Sequence, residues 1–292
     1  MSMIIQQLIN GMILGSVYAL LALGYTMVYG IIKLINFAHG DIYMLGAYFG
    51  YFFLRVLHLN FFIALILSMA ICAVLGMLIE FIAYRPLRHS PRIAVLISAL
   101  GVSFFLENGM SYLFGSDKRS FPQAIETTQY HFGSLQISNI QIIIITTAIV
   151  LMILLNIIVK KTKMGRAMRA VSADEEAAIL MGINVNRTIS FTFAIGSALA
   201  AAGGMLIGLY YNNIDPLMGM TPGIKAFVAA VLGGIGIIPG AALGGWLIGI
   251  LETMTQAVGL SNYKDAIVYA ILIVILLLKP TGILGKNKRE KV

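Results

Sequence analysis

Charge is what this chain has least of. Asp, Glu, Lys and Arg make up 11% of its 292 residues and hydrophobic types 59%, whereas a soluble domain carries about 25% charged residues. That balance excludes a soluble globular fold and predicts a polytopic membrane protein. Cysteine is almost absent. Cys72 stands alone inside an apolar run, so no disulfide closes within the chain and no zinc site is available. The four histidines, His39, His58, His89 and His131, are scattered. With no His-x-x-x-His and no paired carboxylates, no catalytic or metal-binding residues are assigned. No glycine-rich run ends in Gly-Lys-Ser/Thr, which excludes ATP binding through a P-loop. No basic residue precedes the first apolar run, and that run is too long for the core of a signal peptide. A retained span is expected there.

What the chain does have is apolar segments, at about 4–30, 41–57, 61–83, 93–115, 140–159, 188–211, 224–237, 241–258 and 264–279. A span needs ~20 residues, range ~17–25, so the first segment is long and the seventh short. The expected fold is all-α, one membrane domain over 1–292 with about eight to nine transmembrane segments, some short or broken. Basic residues near segment ends set the orientation. Lys33, the Arg85–Arg88–Arg92 cluster, Lys160, Lys161, Lys163, Arg166, Arg169 and Arg187, and the tail Lys279, Lys286, Lys288, Arg289 and Lys291 account for fifteen of the twenty. Arg55, Lys118, Arg119, Lys225 and Lys264 fall on the other side. The first side is predicted to be cytoplasmic, with the loop 160–187 and the tail 280–292 on it and the N-terminus outside. Residues 116–139 form the one sizeable external segment, a lid or a landing surface for an external partner.

Three acids lie inside apolar segments, where an ionisable group is a functional candidate by default. Glu80, five residues before Arg85, reads as interfacial. Glu107, beside Asn108, and Glu252, one turn from Gln256, read as deeper. Each either lines a translocation path or fixes helix packing through a hydrogen bond. No row of acids follows one helix face, which argues against a proton relay. Tyr29 to Asp41 interrupts two apolar runs. Within it Asn36, His39 and Asp41 either line a path for a zwitterion or cap the following helix. The uncharged turn from Gly233 to Gly240 has two readings. Broken or re-entrant helices would put Gly233, Gly234 and Gly236 beside a water-filled path; the alternative is a tight cytoplasmic hairpin. These two interruptions, each followed by glycines at four-residue spacing, are candidate halves of a repeat.

The long polar stretch from Lys160 to Arg187 holds a short predicted helix, Ala173 to Met181. Ser172 and Glu175 stand in capping-box spacing. Asp174, Glu175 and Glu176 suit the positive end of the helix, and Gly182 suits a left-handed stop. Glu176-Ala177-Ala178, three residues, then Gly182 resembles the loop by which ABC-importer permeases dock onto their ATPases. Ser172, Glu175, Glu176, Ala177, Ala178 and Gly182 are therefore the candidate docking residues. An ordinary surface helix between two spans is the plainer reading of the same residues.

Three stretches together resemble the permease subunits of branched-chain amino acid ABC importers. They are Gly24-Tyr25-Thr26-Met27-Val28-Tyr29-Gly30 through Ile35-Asn36-Phe37-Ala38-His39-Gly40-Asp41, Gly165-Arg166-Ala167-Met168-Arg169-Ala170-Val171-Ser172 through Gly182, and Ala229-Ala230-Val231-Leu232-Gly233-Gly234-Ile235-Gly236 through Gly240. One departure is the lack of any proline between Gly182 and Pro216. The resemblance implies a multi-pass protein of the bacterial inner membrane. It implies a second, homologous permease, two ABC ATPase subunits that bind the ATP and Mg, and an external binding protein delivering Leu, Ile or Val. No cofactor in this chain and no nucleic-acid partner are expected. A permease for another small amino acid, amide or urea is the nearest alternative. An ion-coupled transporter acting alone and a channel-like protein are the others.

Overall fold

The computed structural model describes residues 2–88, 90–133 and 135–285. His89 and the tail residues Lys286, Lys288, Arg289 and Lys291 lie outside the described residues. The apolar segments form α1 (Ser2–Ile32), α2 (His39–Arg55), α3 (Phe61–Ile79), α4 (Arg92–Phe114), α5 (Asn139–Lys161), α8 (Val185–Tyr211), α9 (Met220–Gly233), α10 (Ile238–Ala257) and α11 (Lys264–Leu278). The polar stretch supplies α6 (Lys163–Ala173) and α7 (Glu175–Leu180). Six helical stretches among the described residues are long and apolar enough to cross a bilayer: those over α1, α3, α4, α5, α8 and α11. The exceptions to an all-α fold are small. β1 (Arg119–Ser120) pairs antiparallel with β4 (Asn213–Ile214). Residues 129–138 make a hairpin of β2 (Gln129–Phe132) and β3 (Leu135–Ser138) in which Gln129 faces Ser138, turning at Gly133 with φ +63°.

The helices differ in how far they are covered. Over an apolar stretch of 18 residues, α1 is 94% and α8 83% buried. The corresponding stretches of α3 and α5 are only 28% and 22% buried, and those of α4 and α11 17% and 6%. Lipid is as apolar as leucine, so helices associate by close packing rather than by escape from solvent, and small residues permit it. In α1 and α10 those residues face each other. A β-carbon at Gly11 would meet Thr253 and Ile250, one at Gly15 would meet Trp246, and one at Gly245 or Gly249 would strike the backbone of Ala19 or Gly15. The numbers rise along α1 as they fall along α10, so the pair is antiparallel. Gly46 of α2 packs on Ala201 of α8, and Gly76 of α3 on Ser197.

Two of the long inner helices are followed by a break. After α1, residues 33–38 leave the helix at Lys33, whose φ is +52°, and α2 begins at His39. His39 lies beside Leu21 and Tyr25, eleven residues back from the end of α1, which is roughly 16 Å at ~1.5 Å per residue. Six extended residues span up to ~20 Å, so the chain climbs back into the protein before it coils again. After α8, residues 212–219 do the same from the opposite end, starting at Asn212 with φ +54°. The break between α1 and α2 therefore has its counterpart at 212–219, not at the Gly233–Gly240 turn as the glycine spacing suggested. Long helix, break, short helix and return helix recur as α1, α2, α3 and α8, α9, α10, and the two series run in opposite directions. Where α2 and α9 begin, Gly40 and Gly219 touch backbone to backbone.

The Gly233–Gly240 turn is a tight hairpin between α9 and α10. Gly234 and Gly236 carry φ of +104° and +87°, which glycine adopts without steric cost. Ile283 N–H donates to Leu232 O at 2.8 Å and Leu284 N–H to Gly233 O at 3.2 Å. The turn is thus clasped by residues that follow α11 and rests beside Gly30 near the end of α1.

Candidate functional site

The polar loop is built by a chain of caps. Thr162 Oγ accepts Gly165 N–H at 3.0 Å and starts α6, and Arg169 reaches back to the Val159 carbonyl. α6 continues through Ser172, so the expected Ser172–Glu175 capping box does not form. A hydroxyl in the last turn of a helix points sideways rather than over the next helix's amides. Ser172 Oγ–H instead donates to Gly30 O at 2.5 Å, pinning the loop to α1. Asp174, extended at φ −157°, takes the N-cap of α7, its Oδ1 accepting Ala177 N–H at 2.9 Å. The helix is correspondingly shorter than the predicted 173–181. Gly182 closes it at φ +78°, with Ile183 N–H bonded to Ala178 O at 3.0 Å, the 6→1 bond of a Schellman motif. Nothing stands within 4 Å of a β-carbon built on Gly182, so the demand there is purely conformational.

The loop presents a different face from the one its composition suggested. Glu175, Glu176 and Ala177 are exposed. Ala178 is buried, in a cluster with Val171, Val185, Ile189 and Phe193. Leu180 and Met181 are 88% and 82% exposed. These two residues escaped the sequence reading. The available signal was an apolar trio, Ile179-Leu180-Met181, inside a polar stretch. Burying such side chains contributes about 1.5–3 kcal/mol each, and at the tip of α7 that surface is left uncovered while Ala178 anchors the helix to the fold.

The break after α1 gathers the other candidates. Asn36 is buried and accepts Tyr84 Oη–H at 2.8 Å. His39 lies edge-on to Tyr25, ring centroids 4.6 Å apart, with Nε2 3.2 Å from the Leu21 carbonyl. Asp41 is buried in reach of Ser103 and Glu107 of α4. None of the three caps α2: Ala38 is the N-cap and makes no side-chain bond. Thr26 Oγ, Asn36 Nδ2 and Asp41 Oδ2 are buried without a hydrogen-bond partner in the protein. Buried polar atoms are normally satisfied, so this region has spare capacity for water or a polar solute. Glu80 is fully buried, ion-paired with Arg88 and accepting Ser190 Oγ–H at 2.5 Å.

Glu252 belongs to a separate cluster. Lys225 Nζ lies 2.8 Å from it and 2.6 Å from Asp265, Lys264 Nζ lies 3.2 Å away, and Tyr18 Oη–H donates to it at 2.8 Å. Two lysines balance two carboxylates, and the network joins α1, α9, α10 and α11. Lys225 is no loop residue, as the charge tally took it to be, but is buried inside α9. An acid at that depth needs a cation, and Lys225 is the basic residue inside the short neighbouring segment. Gly233, Gly234 and Gly236 sit in the α9–α10 turn, where Gly236 approaches Gly30.

Known proteins match this arrangement along nearly its whole length. Residues 7–276 fit the family described as "Branched-chain amino acid transport system / permease component". The high-affinity branched-chain amino acid transport system permease protein LivH of Salmonella typhimurium is 44% identical over 305 residues, covering 99% of this chain and 97% of that protein. The corresponding BraD of Pseudomonas aeruginosa is 43% identical, covering 99% and 98%. A probable LivH from Methanocaldococcus jannaschii is 29% identical, covering 96% and 92%. The chain belongs to the family of branched-chain amino acid transport system permease components.

Proposed function

We propose that this chain is the membrane-spanning permease subunit of an ATP-driven importer that carries Leu, Ile and Val, delivered by an external binding protein. The observation that carries this reading is the end-to-end similarity to permeases named for that transport. Its partners are a second, homologous permease and two ABC ATPase subunits, which bind the ATP and Mg. The chain forms a single permease domain over 1–292 in the bacterial inner membrane, holds no cofactor of its own and binds no nucleic acid. The face with Lys33, Lys160 and Lys279 is cytoplasmic, and the chain crosses nine times.

In this reading Glu175, Glu176, Ala177 and the exposed Leu180–Met181 tip meet the ATPase. Ser172 and Ala178 hold the loop in place, and Gly182 turns the chain into α8. The broken-helix junction with Asn36, His39, Asp41 and Glu107 is the candidate polar region of the path. The test is reconstitution of the chain with its neighbouring permease, ATPases and binding protein in liposomes. ATP-dependent accumulation of radiolabelled leucine, isoleucine and valine is expected. Uptake that needs no ATPase, or that ignores all three, overturns the proposal.

A further inference from the structure

A polar cavity lies behind the 160–187 loop, where Lys33 and Leu34 begin the break after α1. It is a half-open pocket with a volume of about 250 Å³, lined by the end of α1, the residues after it, Arg88 and the α6–α7 junction. This is below the ~300–1,000 Å³ of sites for drug-sized ligands and suits one small molecule. Its lining has three parts. Lys33 and Arg88 are cationic, Asp174 and Glu175 are anionic, and Ile31, Leu34 and Ile189 make an aliphatic wall. No ion pair joins these cations to these anions, because Arg88 pairs with Glu80 and Lys33 pairs with no acid among the described residues.

Two further observations point to a ligand. Arg88 gives Nη1–H to Asn186 Oδ1 at 2.8 Å and pairs with Glu80 through Nη2, while its buried Nε–H finds no acceptor. A buried donor without an acceptor calls for a missing partner. Lys33 is one of three non-glycine residues with positive φ, a conformation that places strain at functional positions more often than elsewhere. It ends α1 and lines the cavity instead of continuing the helix.

We infer that this cavity is a binding site for a free aliphatic amino acid on the loop side of the protein. Lys33 and Arg88 take the α-carboxylate, Asp174 and Glu175 take the α-ammonium, and the isoleucine–leucine wall takes the side chain. A zwitterion offers a carboxylate to Lys33 and Arg88 and an ammonium to Asp174 and Glu175, which neither a simple anion nor a simple amine does. Bound there, it ties the end of α1 to the α6–α7 junction, the same two elements that the Ser172–Gly30 hydrogen bond joins. The site thereby makes docking-loop mobility depend on the pool of amino acid on that side. The choice of leucine as ligand rests on the transport reading above; the mixed-charge, aliphatic chemistry of the site does not.

The test is calorimetric titration of the full-length chain, with its co-purifying subunits, in phospholipid nanodiscs. The probes are L-leucine, 4-methylpentanoate (no ammonium) and 3-methylbutylamine (no carboxylate). Leucine is expected to bind, and each analogue about tenfold more weakly or worse, since each lacks one set of charge-assisted bonds. Lys33→Asn keeps a residue at ease with positive φ and removes the charge; it is expected to weaken leucine about tenfold, and Lys33→Arg to retain it. In proteoliposomes, leucine added on the ATPase side is expected to slow ATP hydrolysis in the wild type and not in Lys33→Asn. Absence of leucine binding, equal binding of 4-methylpentanoate, or binding and inhibition that ignore Lys33→Asn each overturn the site. Leucine binding that depends on Lys33, in a complex that does not transport leucine, would overturn the transport reading and leave the site standing.

Discussion

Gly40 and Gly219 meet where α2 and α9 begin, and a β-carbon on either would strike the carbonyl oxygen of the other, at 2.5 Å in the case of Gly40. The obstruction is backbone on both sides, so no side chain can swing away to relieve it. The two glycines occupy equivalent places in the two oppositely directed series, which puts the contact at the relation between them.

We therefore expect Gly40→Ala and Gly219→Ala each to cost about 1–3 kcal/mol, the usual price of overpacking. Gly101→Ala and Gly109→Ala lie in α4 with open space around them, and each should stabilise the helix by roughly 0.5–1 kcal/mol. Thermal unfolding in detergent, followed by size-exclusion chromatography, separates the two pairs. Equal midpoints for all four variants would dismiss the central contact.

The Lys225–Glu252–Asp265–Lys264 network gives a second expectation. Removing one member of a buried pair leaves a charge uncompensated and costs about 3–5 kcal/mol. Glu252→Gln should thus be severely destabilising, with Lys225→Met in the same chain restoring much of the loss. If the double variant is as unstable as the sum of the singles, the pair is not coupled.

The exposed tip of α7 carries a third, which follows from the proposed docking role. Leu180→Glu with Met181→Glu should abolish co-purification of the ATPase subunits while leaving the thermal midpoint unchanged, because both side chains are exposed. Ser172→Ala should cost about 1 kcal/mol through the lost bond to Gly30. Gly182→Ala should cost roughly 1–2 kcal/mol for its left-handed backbone, and Gly182→Asn less. Full ATPase recovery with the double glutamate variant would make this loop a linker.

Orientation is the fourth. Single cysteines at Gln123 and Ser261 should react with an impermeant maleimide in intact cells, and one at Lys163 should not. Cys72 is buried, so the native thiol gives little background. Labelling at Lys163 from outside reverses the topology and removes the docking loop from the ATP-containing side.

Segment positions were legible because span length and apolar content are properties of contiguous residues. The same holds for the helix stop at Gly182. Partner identity across the fold was not. Nothing local says that Ser172 bonds to Gly30, 142 residues away, or that Lys225 has left the surface for Glu252. The pairing of residues 33–38 with 212–219 was hidden because the glycines that signalled a repeat mark a turn at 233–240. The truly equivalent breaks share a shape rather than a composition. Spacing likewise finds the helix that holds Ala177 and Ala178, and only the neighbouring cluster decides which alanine faces inward.

The close packing of α1 on α10 has a consequence for how the protein is made. Tyr18 and Glu252 are 234 residues apart, and chains grow at roughly 5–20 residues per second. α1 therefore waits on the order of 10–50 s for the α10 surface that covers it. During that interval its glycine stripe, Ser16 and Tyr18 face lipid or the insertion machinery. Newborn chains are thus most open to proteolysis and mispairing at their oldest segment.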